Sequence, residues 1–234
     1  MKTIKSKGGP FQERPYYERI DIERICTDAL KTVDLLPADP SPVRIERFIE
    51  KRFKVVSSYE DLPTGVLGFS RFGKKGLEAV VISRALAEDP SRSAERRIIT
   101  TLAHEAGHAL LHGHLFALDE LQPGLFGEAV TGPKILCRDD ADPAAASRPT
   151  RYNGRWWEFQ ANQAIGPLLL PAPLVAKALE GMLETYGTFD SVRISESRRA
   201  STAARLAEIF EVNPVVARIR LDELFPAQDT QLTL

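Results

Sequence analysis

The chain has 234 residues, 43% of them hydrophobic, and a formal net charge of −1, enough apolar material for one large domain or a domain with a small appendage. The near-neutral balance, with no long run of one sign, argues against bulk binding to nucleic acid or a membrane surface. No segment approaches the roughly 18 apolar residues of a membrane span, the basic start runs into Gly8-Gly9-Pro10 and not an apolar stretch, and Cys26 and Cys137 stand far apart. A cytoplasmic protein without a disulfide framework is expected.

Residues 16–35 carry Ile22, Ile25, Cys26, Ala29, Leu30 and Val33 at helical spacing, closed by Pro37 to Pro42, which predicts a first helix. Ser41-Pro42 offers a cap and first position for a shorter second helix with Val43, Ile45, Phe48 and Ile49 as its apolar stripe. Three β-branched or aromatic runs follow, 53–57, 65–72 and 77–82, separated by Gly and Pro turns. They predict a small, mostly antiparallel sheet, with 77–82 as an edge strand to which an extended peptide could add. Asp89-Pro90 opens the next helix, which buries Ile98, Ile99, Leu102, Ala103, Ala106 and Leu110 and keeps small Ala106 and Gly107 beside a crowded face.

All four histidines of the chain lie between His104 and His114, and the first two frame a glutamate as His104-Glu105-x-x-His108. On a helix these imidazoles stand about 40° apart and one turn up, so both reach one metal ion while Glu105 projects beside them. The spacing points to a zinc hydrolase. A catalytic zinc takes a third protein ligand and keeps a fourth position for water. His114 has the right separation, but Leu111 stands where the chain would need glycine to turn back. His112 lies a further turn along the axis, and a carboxylate on a second helix is the remaining candidate.

Residues 115–155 are rich in Gly, Pro and Asp with little periodicity, which predicts a long loop or insertion beside the cleft, Cys137 within it. A helical pattern resumes at Trp156, breaks at Gly166-Pro167 and continues over 173–186. The last 40 or so residues predict short helices, with Asn213-Pro214 as cap and first turn.

Glu158-Phe-Gln-Ala161-Asn162, followed by Leu168-Leu169-Leu170-Pro171, resembles the second signature of the ImmA/IrrE metallo-endopeptidases. Thr101-Leu-Ala-His104-Glu105-Ala-Gly-His108-Ala-Leu-Leu-His112 resembles their first, and the run from Tyr59 to Phe69 is similar as well. Leu206 to Leu221 resembles the helix-turn-helix-like segment that follows their catalytic core. Ala164-Ile165 and Gly166-Pro167 depart from the pattern, and the gap between His108 and Glu158 is longer than usual.

The resemblance implies an α+β chain with a zincin-like core over 1–190, a small mostly antiparallel sheet packed on helices, and a helix-turn-helix-like segment over 191–234. It implies zinc on His104, His108 and Glu158, with manganese or iron as cellular substitutes, and a helix-turn-helix repressor as the protein substrate. Glu105 would serve as general base. Tyr152, Arg155 and His112 are the candidates for stabilising an oxyanion, and Asn162, one turn after Glu158, for orienting that ligand. Two alternatives are a non-catalytic zinc-containing transcription regulator and a toxin-antitoxin component. The six Arg and six acidic residues of 191–234 are unlike a DNA footprint. The apolar face of that segment needs either the core or the substrate, and Arg218 and Arg220 would point to different sides.

Overall fold

A computed structural model describes residues 2–5, 13–73, 75–119, 134–139, 155–186 and 191–226. An N-terminal antiparallel hairpin, β1 (Lys2–Lys5) and β2 (Glu13–Tyr16), sets Pro15 opposite Thr3. No alternation in the sequence announces it. Helix α1 (Arg19–Thr32) opens with a reciprocal capping box between Glu18 and Asp21 and buries Ile22, Cys26, Ala29 and Leu30. Helix α2 (Ile45–Phe53) starts later than the Ser41-Pro42 cap would place it, because the Ser41 hydroxyl turns back to the Asp39 carbonyl at 3.0 Å. Phe53, expected to begin a strand, completes this helix. Its ring meets Phe48 edge-on at 5.9 Å, and Lys54 ends the helix at φ 61.

The main sheet has the order β3 (Ser58–Glu60), β5 (Gly76–Ser83), β4 (Val66–Gly73), β6 (Lys134–Asp139). β3 runs parallel to β5, and the other two pairings are antiparallel. β4 and β5 match the expected runs, and Gly76, at φ 98, supplies a backbone conformation costly for other residues in their connection. The expectation that 77–82 forms an edge fails, since β5 is paired on both sides. Its Val80, Val81 and Ile82 are all buried, as suits an inner strand. β6 lies in the stretch expected to be loop, where its register with β4 puts Cys137 opposite Phe69.

Helix α3 (Arg84–Glu88) leads into α4 (Arg92–Asp119), which Ser91 caps through Ala94 and which runs past the expected loop start at 115. α5 (Trp156–Leu169) tolerates Pro167 because it falls in the last turn, where a single lost hydrogen bond does not break the helix. α6 (Ala172–Ala178) ends well short of 186. Gly181, at φ 80, then turns the chain into β7 (Glu184–Tyr186), paired with β8 (Ser191–Arg193). α7 (Glu196–Ile209) and α8 (Pro214–Leu224) close the described chain, with the Asn213 side chain accepting from the Val215 amide as its cap pattern predicts. None of the described helices is long and apolar enough to cross a membrane.

α4 packs on β4 and β5 with one face and on α5 with another. Helices α7 and α8 and the turn between them bury Leu206, Ala207, Phe210, Val212, Ala217 and Leu221 in the same core as α1, α4 and α5. The apolar face of the C-terminal pair is thus covered by the core. Arg218 is exposed, whereas Arg220 is 4% exposed, donates to the Leu170 carbonyl at 2.9 Å and pairs with Glu23 at 2.5 Å. Glu23 in turn accepts from the Ala172 amide at 2.9 Å, so one ion pair fastens α8 to α1 and to the start of α6. Arg220→Ala would leave Glu23 without its counter-charge and should cost about 3 kcal/mol. Chemical denaturation measures this, and a loss under 1 kcal/mol would mean the pair is not what holds α8.

Candidate metal centre

The two motif histidines occupy one side of α4 as the spacing requires, and α5 brings a carboxylate against them. His104 Nε2 lies 3.0 Å from His108 Nε2 and 3.1 Å from Glu158 Oε2, and His108 Nε2 lies 3.5 Å from Glu158 Oε1. Both rings are buried, at 1% and 0% exposure, and the Glu158 side chain is 16% exposed. A tetrahedral ion about 2.0–2.1 Å from each donor separates its ligand atoms by about 3.3 Å, which the three contacts bracket. Among the described residues, His104, His108 and Glu158 form the one cluster of this kind, and it can hold a metal ion.

The hydrogen bonds behind the cluster agree with that use. Asn162 Oδ1 accepts from His104 Nδ1 at 3.0 Å, which leaves the Nε2 lone pair directed at the cluster. His108 Nδ1 contacts His112 Nδ1 at 3.1 Å, and His112 Nε2 donates to Gln160 Oε1 at 2.9 Å. Two Nε2 lone pairs facing each other at 3.0 Å beside a carboxylate are mutually unfavourable unless a cation lies between them.

Glu105 is wholly buried, and the Ser70 hydroxyl of β4 donates to its Oε2 at 2.6 Å. Thr101 and Glu105 lie on about the same side of α4, one turn apart. The sheet reaches this side, because β4 passes so close that a Cβ on Gly68 would sit 2.8 Å from Thr101 Cγ2. On the opposite flank, a Cβ on Gly107 would lie 3.0 Å from both the Ala161 carbonyl oxygen and Ala164 Cβ. The glycine therefore permits the close approach of α4 and α5 that brings Glu158 to the histidines. Gly107→Ala should force α5 outward and destabilise the fold by about 1–3 kcal/mol. Denaturant unfolding tests this, and an unchanged midpoint would show that α5 does not depend on the glycine.

The remaining site candidates fall in different places. His112 is fully buried, with its ring edge-on to Trp156 at a centroid distance of 5.4 Å, and its pKa is driven well down by burial and by His108. Its Nε2 hydrogen is directed at Gln160 and its Nδ1 faces His108. Arg155 is exposed at the N-cap of α5. Tyr152 lies outside the described residues. His114 stands apart from the metal group, its Nε2 buried with no hydrogen-bond partner among the described residues. Trp156 is buried against Phe72, consistent with an anchoring role. Cys26, fully buried, has its thiol pKa pushed up by burial.

Ser70 and Gln160 escaped the sequence reading. A lone serine inside an apolar strand and a glutamine between two motif residues carry no spacing signal, and only the packing of β4 and α5 on α4 reveals their partners. No protein-family model matches the chain, and a search of curated proteins gives no match.

Proposed function

We propose that the protein is a zinc-dependent endopeptidase of zincin-like architecture that hydrolyses a peptide bond in a partner protein. The observation that carries this reading is the convergence of two buried imidazoles and one carboxylate, with Glu105 following His104 on the same helix and held by Ser70. Three protein donors leave a tetrahedral ion one open position, as hydrolysis needs and a structural site does not.

His104, His108 and Glu158 would hold the metal, zinc by the nature of the donors, with manganese or iron as substitutes. A bound zinc supplies Lewis acidity toward the scissile carbonyl and lowers the pKa of a water toward neutrality. Glu105 takes the proton of that water on its carboxylate and passes it to the leaving amine. Ser70 limits the rotation of that carboxylate, and Asn162 keeps the His104 proton on Nδ1. Arg155, and Tyr152 by its place just ahead of α5, are the candidates to face the oxyanion.

The substrate reading, an exposed segment of a helix-turn-helix repressor, rests on the resemblance of both signatures to the ImmA/IrrE family. Among the described residues the open strands of the main sheet are β3 and β6, so a peptide that extends the sheet adds there and not at β5. The test is incubation of the zinc-loaded chain with the helix-turn-helix protein encoded beside it, followed by mass spectrometry of the products. Cleavage that stops when a chelator removes the metal supports the reading, whereas an intact partner and intact unfolded proteins with zinc bound refute it.

A further inference from the structure

His112, which accepts the Nδ1 hydrogen of His108, is the start of a longer chain of hydrogen bonds. Gln160 sits on α5, 8% exposed, with its amide nitrogen donating to the Pro15 carbonyl of β2 at 2.9 Å. A carbonyl only accepts, so this contact fixes which end of the Gln160 amide faces each way. The amide oxygen must then accept from His112 Nε2, a neutral His112 must accept on Nδ1, and His108 must carry its proton on Nδ1. The result is a bare Nε2 on His108, aimed at His104 and Glu158. Reversing any one bond in the series would put a hydrogen on the nitrogen that has to bind the ion. A second tether accompanies the first, since the Tyr17 hydroxyl donates to the Leu111 carbonyl at 3.2 Å, one residue before His112.

We infer that His112 and Gln160 are positioning residues for the metal ligand His108, and that β2, through the Pro15 carbonyl, is an integral part of the metal centre. The inference rests on the metal-site reading above. It adds that metal and hairpin are coupled: whatever docking of β2 contributes to metal affinity, bound metal returns to the docking of β2 by the same factor. A merely structural Gln160 would alter stability and leave that coupling untouched.

The test uses the full chain, with zinc as the probe. Gln160→Met keeps the length of the side chain and removes both polar ends, and it should weaken zinc binding about tenfold in a chelator competition. Gln163→Met, the same change elsewhere on α5, should bind zinc like the wild type. Hydrogen exchange of the segment covering 13–17 should slow on zinc addition in the wild type, and zinc should have no such effect in Gln160→Met. Equal zinc affinity for Gln160→Met and wild type overturns the inference, as does wild-type exchange at 13–17 that ignores zinc. Should Gln160→Met fail to fold, the wild-type exchange experiment decides alone. A wild-type chain that binds no zinc removes the underlying metal-site reading as well, so the two failures are distinct.

Discussion

Removal of any one of His104, His108 and Glu158 should leave the centre unable to retain zinc. Each replacement by alanine takes away a donor from a set of three, and the remaining pair cannot complete a tetrahedron with only one water position. The loss should exceed the roughly 10–100-fold that removal of a supporting hydrogen bond produces, so the variants should emerge metal-free from gel filtration over a chelator. Glu158→Ala is the informative member, because Glu158 lies far from the motif in sequence and reaches it only through the packing of α5. His114→Ala should keep its zinc, since His114 stands outside the cluster. Zinc lost from His114→Ala and kept by Glu158→Ala would reverse the assignment of the third ligand.

Glu105→Gln should separate binding from chemistry. The amide has the shape of the carboxylate, and its oxygen can still accept from the Ser70 hydroxyl, so the fold and the zinc content should match the wild type. The amide cannot take up a proton, and loss of a general base lowers rates by about 10²–10⁴-fold. The measurement is zinc content alongside the rate of partner cleavage. Unimpaired cleavage with zinc bound would show that Glu105 is not the base. Loss of zinc would show instead that its buried carboxylate helps to hold the ion.

Local chemistry made much of this molecule legible in advance. The His-Glu-x-x-His spacing places two imidazoles on one side of α4 wherever a helix forms. The apolar periods of α1 and α4 and the β-branched runs of β4 and β5 announce elements whose type depends on which face is buried. The Asn213-Pro214 cap is likewise local. Each of these signals is carried by residues a few positions apart.

What escaped the sequence was set by partners distant along the chain. Strand 77–82 has the composition of either an edge or an interior strand, and only the arrival of β3 on the side away from β4 decides that it is interior. Helix α2 starts at Ile45 because Ser41 finds Asp39 instead of an amide. β6 forms within a Gly- and Pro-rich stretch because β4 offers it a free edge to pair with.

The centre divides the same way. Sequence by itself determined that His104 and His108 can share an ion and that Glu105 stands next to them. Tertiary structure decided that Glu158 completes the set and that Ser70 holds Glu105. It decided too that His112, half of an unremarkable i, i+4 pair with His108, becomes a buried link to Gln160 and the Pro15 carbonyl. The physical reason is that a buried polar group must find a partner, and which partner it finds depends on the elements that pack against it.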